Sequence, residues 1–252
     1  MQGYGQYCPL AKGAEVFAER WTPLIIRELL RGSRSFNDIH RGVPRMSRTL
    51  LSSRLGKLET CGVIERLAID GGREYHLTQA GQELAPVVTQ LGTWAQRWFR
   101  SRYDSSELDI GVLMWDMRCS IDVHAFPEAR VAVQFVFTDV SPKVRNWWLV
   151  CERGEVDLCP EDPGIEVGLF VRTTQLTMTR VWMGDLTLDS AIRGAHFLVT
   201  GTPSLKGRFE QWLHLSPYAG IADASATGRG PPFANERHCT VAGTVTAAPL
   251  GR

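Results

Sequence analysis

One helix limits most strongly what this chain can fold into. Residues 47–57 read Ser-Arg-Thr-Leu-Leu-Ser-Ser-Arg-Leu-Gly-Lys. Leu51, Leu55 and Leu58 recur at helical spacing, which predicts a buried apolar stripe. The opposite side carries hydroxyls and cations, with no carboxylate before Glu59. A helix of this kind packs its leucines on a scaffold and leaves a polar side that suits phosphates and base edges.

The basic residues are concentrated in the first part of the chain. Residues 1–100 contain 14 Lys/Arg and 9 Asp/Glu, whereas residues 101–217 contain 11 and 16. Residues 31–57 contain seven basic residues and one acid, Asp38. This asymmetry predicts that only the first part faces a polyanion. The alternative is that these cations only contact solvent. Binding to DNA is favoured, because the charges coincide with one side of a single helix.

Length and composition exclude several classes of protein. A chain of 252 residues with 44% hydrophobic and 22% charged residues is typical of a globular protein with two domains. It has no apolar run of membrane-spanning length, no secretory signal, and six cysteines without metal-site spacing. Since catalytic and phosphate-loop motifs are also absent, we expect a cytoplasmic protein with free thiols that is not an enzyme and has no membrane partner, metal or cofactor.

The order of elements in the first hundred residues predicts a winged helix-turn-helix. The expected elements are two helices within 9–31, a helix at 36–41 capped by Ser35, the basic helix capped by Ser47, strands at 63–69 and 73–77 around Asp70-Gly71-Gly72, and a helix from Thr78 through Phe99 with a kink at Pro86. In this arrangement the basic helix enters the major groove and the hairpin reaches the DNA backbone beside it.

The candidate DNA-binding residues are basic or carry hydroxyls. They are Arg34, Arg41, Arg45, Ser47, Arg48, Thr49, Ser52, Ser53, Arg54, Lys57 and Arg73. We expect phosphate contacts from Arg34, Arg41 and Arg45. The candidates for base edges are Arg48, Thr49, Ser52 and Ser53, and Arg73 on the hairpin is expected at the adjoining backbone.

The terminal helices of this part predict a homodimer. The residues expected at its interface are Leu10, Phe17, Leu91, Trp94 and Trp98. An aromatic ligand cage is the alternative, but the spacing on one helical face favours packing between subunits. Such a dimer presents two basic helices about 34 Å apart, so the expected partner is double-stranded DNA with an inverted-repeat operator.

Several stretches of the first part together carry a family resemblance. They are Cys8-Pro9-Leu10, residues 20–29 (RWTPLIIREL), residues 34–39 (RSFNDI), Met46-Ser47, Leu50-Leu51-Ser52, Arg54-Leu55, Leu58-Glu59, residues 62–66 (GVIER) and residues 75–81. In this order they resemble the HxlR-type branch of the MarR-like winged helix-turn-helix regulators. The resemblance implies a homodimeric transcriptional regulator that binds DNA. It also implies possible redox sensing at Cys8, for which an inert thiol at the dimer interface is the alternative.

Residues 105–217 predict an α+β domain. The expected elements are a helix at 107–118, strands at 130–137, 147–152, 155–158 and 165–171, helices at 174–183 and 188–193, a strand at 195–200 and a helix at 204–215. Thr174-Gln175-Leu176, and Ile192-Arg193-Gly194 before a strand, are similar to sterol-carrier-protein-like domains. This resemblance implies a helical layer on a five-stranded sheet around an apolar tunnel, and with it an apolar or lipid-like effector.

The predicted fold is therefore mixed α/β (α+β) with three segments. They are a winged helix-turn-helix domain at 1–100, a sterol-carrier-like domain at 105–217 and a disordered tail at 218–252 that is poor in large apolar residues. The expected function is DNA-binding transcription regulation modulated by an apolar ligand. The alternative is a lipid or small-molecule carrier in which the winged helix serves only for dimerisation.

Overall fold

The first unit is a helical domain with a two-stranded wing. The computed structural model describes residues 3–99, 103, 107–126 and 130–224. The elements of the first unit are α1 (Pro9–Phe17), α2 (Thr22–Leu30), α3 (Phe36–Gly42), α4 (Arg48–Thr60), β1 (Ile64–Ile69), β2 (Gly72–Leu77), α5 (Gln79–Gln82) and α6 (Ala85–Trp98). Their order confirms the winged helix-turn-helix arrangement.

Local side-chain chemistry sets the helix ends. Ser35 Oγ accepts a hydrogen bond from the Asp38 amide at 3.1 Å, and Ser47 Oγ accepts one from the Leu50 amide at 3.2 Å. Gly62, with φ near 70°, ends α4 in the left-handed region. The helix predicted to continue through Pro86 with a kink is instead two helices, because proline has no N–H to donate to the preceding turn.

The second unit places helices against a five-stranded sheet. Its elements are α7 (Ile110–Arg118), β3 (Val131–Phe137), β4 (Asn146–Glu152), β5 (Glu155–Cys159), β6 (Val167–Thr173), α8 (Gln175–Trp182), α9 (Leu188–Arg193), β7 (Phe197–Gly201), α10 (Pro203–Lys206) and α11 (Phe209–Trp212). The strand order is β5-β4-β3-β6-β7. In place of the single helix predicted at 204–215, the structure has two short helices, α10 and α11, separated by Gly207 and Arg208.

Strand β3 lies at the centre of the sheet. It pairs with β6 in parallel and with β4 antiparallel, so that Phe135 lies opposite Trp147 on one side and Val171 on the other. The alternate residues Val133, Phe135 and Phe137 are buried in the core. The side chains on this face of the sheet share one core with residues of α7, α8, α9 and α11.

The buried apolar residues form two cores, one in each unit. Helix α7 contacts both units. Leu113 and Met117 are part of the second core, whereas Trp115 and Asp116 interact with residues of the first unit. Among the described residues, no helix is long and apolar enough to cross a bilayer.

The beginning of the predicted disordered tail is ordered against the first unit. Tyr218 packs directly on Gly92 of α6, where a side chain would overlap it, and the Ala224 amide donates to the Arg97 carbonyl at 2.9 Å. Residues 218–224 therefore differ from the predicted disorder, because the Tyr218 ring packs on α6 at Gly92, which has no side chain. The remainder of the predicted tail, residues 225–252, lies outside the described residues.

Candidate DNA-binding face and the junction between the units

Helix α4 has the two-sided character that its sequence indicates. Leu51, Leu55 and Leu58 are buried in the first core. Thr49 and Ser53 point to the opposite side and are exposed. Since the leucines fix the rotation of α4, its hydroxyl-bearing side faces away from the protein. This is the geometry that a helix needs to present side chains to the edges of bases.

Helix α3 positions the first cation of α4. The Arg48 guanidinium donates to Asn37 Oδ1 at 2.7 Å and lies 4.9 Å from the centre of the Phe36 ring. Arg48 nevertheless stays exposed. Its side chain is thus oriented in advance beside the hydroxyls of Thr49 and Ser52, which are also exposed.

The cations flanking α4 are also at the surface. Arg41 is exposed, pairs with Asp38 at 3.2 Å and lies 5.5 Å from the Trp115 ring. Arg45 is exposed in the turn before α4, and Arg73 is exposed at the start of β2. The Tyr75 amide donates to the Arg34 carbonyl at 2.9 Å, which ties the wing to the loop before α3.

Three of the predicted DNA contacts are half-buried and interact with groups of the same chain. Arg34 Nη1 donates to the Leu29 carbonyl at 2.8 Å. Arg54 and Lys57 both pair with Glu19, which lies in the loop after α1. All three cations are half-buried. Phosphate contacts from them would require these interactions to open, so the available cationic surface is smaller than the sequence suggests.

Replacing Glu19 by glutamine is expected to raise DNA affinity several-fold at low salt. Without the carboxylate, Arg54 and Lys57 lose their shared counter-charge, so their contacts with phosphates compete with one anion fewer. The slope of log affinity against log salt should become steeper by about 1–2 per subunit. Fluorescence anisotropy across a salt series measures this slope. Glu15→Gln, which removes an acid paired with Lys12 on α1, is the control, and an unchanged slope in Glu19→Gln would contradict the argument.

Gly56 lies on the exposed side of α4. A Cβ added there meets no atom within 4 Å. We therefore expect Gly56→Ala to raise the free energy of unfolding by about 0.5–1 kcal/mol, because glycine weakens a helix interior. Urea unfolding measures the change. Gly62→Ala is the contrasting variant, since its positive φ of 70° predicts the opposite sign.

The terminal helices expose apolar side chains. Leu10 is 79% exposed on α1, and Leu91 and Trp94 are 43% and 52% exposed on α6. Trp98 and Phe17 are half-buried. Phe17 packs against the first core, so much of its surface is already covered within one chain. The exposed stripe on α6 is distinct from the side that contacts Tyr218.

Comparisons with known proteins identify the first unit. The model of the HxlR-like helix-turn-helix family matches residues 16–103. YvaP of Bacillus subtilis (strain 168), named as an uncharacterized HTH-type transcriptional regulator, is 37% identical over 108 residues, which are 41% of this chain and 96% of that protein. The chain belongs to the HxlR-like helix-turn-helix family.

A further relative of this HxlR-like protein, YodB, has the same character. The HTH-type transcriptional regulator YodB of Bacillus subtilis (strain 168) is 31% identical over 94 residues, covering 36% of this chain and 84% of that one. The structure of reduced YodB from B. subtilis matches with 30% identity and a TM-score of 0.33, over 36% of this chain and 94% of that one. DNA binding and transcription regulation are thus the function of the family. The sheet-containing unit lies largely outside these matches.

A buried ionic cluster joins the two units of the HxlR-like protein. Glu28 on α2 is fully buried, accepts from Arg27 Nε at 2.9 Å and accepts from the Trp115 indole N–H at 2.8 Å. Arg31 pairs with Asp116 on α7. Burial by itself would lower the pKa of Arg31, but Asp116 and Glu28 outweigh it, and the pKa is raised. The cluster therefore holds α7 of the second unit on α2 of the first.

The same cluster touches the helix-turn-helix turn. Arg27 Nη2 donates to the Gly42 carbonyl at 3.1 Å, at the last residue of α3. A side chain at Gly42 would overlap the Glu28 carboxylate. The turn that leads into α4 is thus anchored on the junction between the units.

Trp182 of the HxlR-like protein lines two cavities, one between the units and one within the second unit. The junction cavity, of about 440 Å³, is lined from both units by residues that include Trp21, Leu24, Val43, Val112, Trp182 and Met183. The helical-layer cavity, of about 530 Å³, lies in the second unit and is lined by residues that include Met178, Val181, Leu186, Leu188, Phe209 and Leu213. Sequence reasoning did not predict the junction cavity.

Cys8 lies just before α1, where it precedes Pro9 and is half-buried. Cys8, Cys61, Cys119, Cys151 and Cys159 are free thiols among the described residues. Burial raises the pKa of Cys151 to about 12, so this thiol stays protonated and weakly nucleophilic at neutral pH. Cys239 lies outside the described residues.

Proposed function

We propose that this HxlR-like protein binds an inverted-repeat operator as a homodimer, with α4 of each subunit in the major groove. The observation that carries the proposal is the outward side of α4, where Arg48, Thr49, Ser52 and Ser53 are exposed while the leucines are buried. Arg41, Arg45 and, from the wing, Arg73 supply cations for the phosphates. Arg34, Arg54 and Lys57 are left out of the proposed contact surface because they are half-buried, whereas Arg41, Arg45 and Arg73 are exposed. Ser47 acts as the helix cap.

Capture of genomic DNA tests this function. Purified full-length protein is mixed with fragmented DNA of its host, and the bound fragments are sequenced. We expect a shared inverted repeat. Affinity for that repeat should fall by about 10³–10⁵ between 50 and 200 mM salt if a dimer makes about 6–10 phosphate contacts. Failure to enrich any repeat, or affinity that salt does not change, would favour the alternative of a carrier whose first unit only dimerises.

The proposed dimer uses the exposed apolar stripes of α1 and α6. Trp94→Glu is expected to weaken dimerisation by at least about 100-fold, because a large buried aromatic at an interface contributes about 2 kcal/mol or more and the symmetric dimer loses two. Native mass spectrometry and sedimentation equilibrium measure the effect. Thr89→Glu, at an exposed position on another side of α6, is the control. A wild-type protein that is monomeric at micromolar concentration would contradict the proposal of a dimer.

We infer that the second unit, with proposed bounds 105–217, is sterol-carrier-like and binds an apolar or lipid-like effector. Its helical layer on five strands and the helical-layer cavity support this inference. Native mass spectrometry of the purified protein tests it by detecting a co-purified lipid. Regulation further requires that the lipid bind the DNA-free and DNA-bound forms unequally, so equal affinity with and without operator would exclude it.

Redox sensing at Cys8 is a separate prediction from the family resemblance. Its position before α1 supports a link to the dimer interface, since α1 carries the exposed Leu10. Mild peroxide should then lower operator affinity in the wild type and leave Cys8→Ser unchanged. Mass spectrometry identifies the oxidised thiol. Equal responses of the two proteins would leave Cys8 as an inert thiol.

A further inference from the structure

The last described segment of the chain, residues 213–224, connects the helical-layer cavity to α6, and we call it the strap. Its residues 213–215 line the cavity. Its end lies on the first unit, where the Ala224 amide donates to the Arg97 carbonyl at 2.9 Å. One continuous segment thus forms part of a cavity wall in the second unit and contacts the helix that carries the exposed apolar stripe.

Ser216 fixes the strap beside the cavity. It is buried, and its amide donates at 2.8 Å to the carbonyl of Trp182, which lines the cavity. The Ser216 hydroxyl oxygen accepts from the Tyr218 amide at 3.2 Å, and the Ser216 carbonyl accepts from the Ala219 amide at 2.8 Å. These two bonds close a tight turn. The position of Ser216 therefore sets where Tyr218 leaves the second unit.

Tyr218 carries the strap onto α6 at a residue without a side chain. A Cβ added to Gly92 would lie 2.3 Å from atoms at the far end of the Tyr218 ring. Glycine weakens a helix interior, and Gly92 lies well inside α6. The tyrosine ring fills the space that this glycine leaves, so the contact depends on both residues.

The strap also packs closely on the cavity wall after α8. Gly184 lines the cavity, and a Cβ added there would lie 3.1 Å from the Ala219 Cβ. An apolar molecule in the cavity gains contacts with residues 213–215 only while the strap is in place, because these residues form part of the wall. Release of the strap would open the wall and weaken the binding of that molecule.

We propose that the strap couples the helical-layer cavity to α6. An apolar molecule in the cavity holds the strap on α6, and the strap on α6 closes the wall around the molecule. The two effects are one equilibrium, because a ligand that binds better when the strap is docked must also favour the docked strap. The coupling needs no DNA. Its regulatory consequence rests on the proposed function, since α6 carries Leu91 and Trp94 of the proposed dimer interface.

Binding of a fluorescent apolar probe tests the coupling from the side of the strap. N-phenyl-1-naphthylamine is neutral and becomes brighter in apolar surroundings. We expect full-length protein to bind it saturably, and Leu188→Trp, which fills the helical-layer cavity, to weaken binding at least about tenfold. Tyr218→Ala should weaken it at least about fivefold, although the described cavity lining does not include Tyr218.

The control for Tyr218→Ala is Phe170→Ala, which removes an exposed aromatic ring from β6 of the same unit. It should bind the probe like the wild type. Circular dichroism and thermal melting verify that all variants are folded. Wild-type affinity in Tyr218→Ala, or no saturable binding that Leu188→Trp weakens, would overturn the proposal.

Gly92→Ala tests the same contact from the first unit. Its methyl group would displace the Tyr218 ring, so probe binding should weaken about as much as in Tyr218→Ala. Alanine strengthens a helix relative to glycine, so this loss would not come from a weaker α6. Gly92→Ala should have no further effect in the Tyr218→Ala background. Gly56→Ala is the control, since a Cβ there meets no atom within 4 Å, and additive losses would contradict the argument.

Hydrogen exchange followed by mass spectrometry measures the coupling from the side of the cavity. Saturating probe should slow exchange of the strap amides at least about fivefold in the wild type. The amides concerned include those of Ser216, Ala219 and Ala224, which donate to backbone carbonyls. Leu188→Trp should not show this probe-dependent slowing. Unchanged exchange in the strap while the probe occupies the cavity would overturn the proposal.

These measurements use protein without DNA, so they separate this inference from the proposed function. If the probe binds in the helical-layer cavity and the strap does not respond, the inference is refuted and the proposed effector site remains. If the strap responds and no operator is found, the proposed DNA binding is refuted alone. Operator affinity should change at least about fivefold at saturating probe, and an unchanged affinity would refute the regulatory consequence.

Discussion

Replacing Ser53 by glutamate is expected to lower affinity for operator DNA by at least about 30-fold. Ser53 is exposed on the side of α4 opposite the buried leucines. In the proposed complex a carboxylate there would approach the phosphates and the acceptor groups of the major groove. One mismatched contact costs about 1–3 kcal/mol, and the proposed dimer would contain it twice.

Anisotropy with a labelled operator measures this loss, and thermal melting verifies that the variant is folded. Ser204→Glu is the matched control, because it makes the same chemical change at an exposed position in α10 of the second unit. We expect Ser204→Glu to bind within about twofold of the wild type, since surface substitutions away from an interface have small effects. Tight binding by a folded Ser53→Glu protein would contradict the proposed orientation of α4.

Much of the first unit could be predicted from local sequence signals. Ser35 and Ser47 cap α3 and α4 because a hydroxyl there can reach an amide in the first helical turn. The leucine stripe sets which side of α4 is buried. The residues of these signals are neighbours along the chain. Local rules therefore apply to them without knowledge of the rest of the fold.

The interactions that join distant segments could not be predicted in the same way. Glu19 pairs with Lys57 across 38 positions of sequence, and nothing in the spacing of charges indicates that the loop after α1 brings Glu19 to α4. Helix α7 did contain a signal, since all of its residues except Asp116 and the terminal Arg118 are apolar or glycine. Such a helix is buried on several sides. This pattern could have indicated that α7 packs between the two units.

Glu28→Ala is expected to lower the free energy of unfolding by about 3–5 kcal/mol. Arg27 and Arg31 would lose a buried counter-charge, and the Trp115 N–H would lose its acceptor. Urea unfolding followed by circular dichroism measures the change. Glu59→Ala removes a similar carboxylate that pairs with Arg66 at 2.8 Å near the surface, and should cost less than about 1 kcal/mol. Equal effects in the two variants would mean that burial of the cluster has little energetic consequence.

Gly42→Ala extends this prediction to the helix-turn-helix. In the wild type its methyl group would overlap the Glu28 carboxylate, so the variant should be destabilised. In the Glu28→Ala background that carboxylate is gone, and Gly42→Ala should cost little. The double-mutant cycle should therefore give an interaction energy of about 1–3 kcal/mol, whereas additive effects would contradict the close packing. Because Gly42 ends α3 and precedes the turn into α4, the same cycle measured on operator affinity determines whether the junction controls the position of the DNA-binding helix.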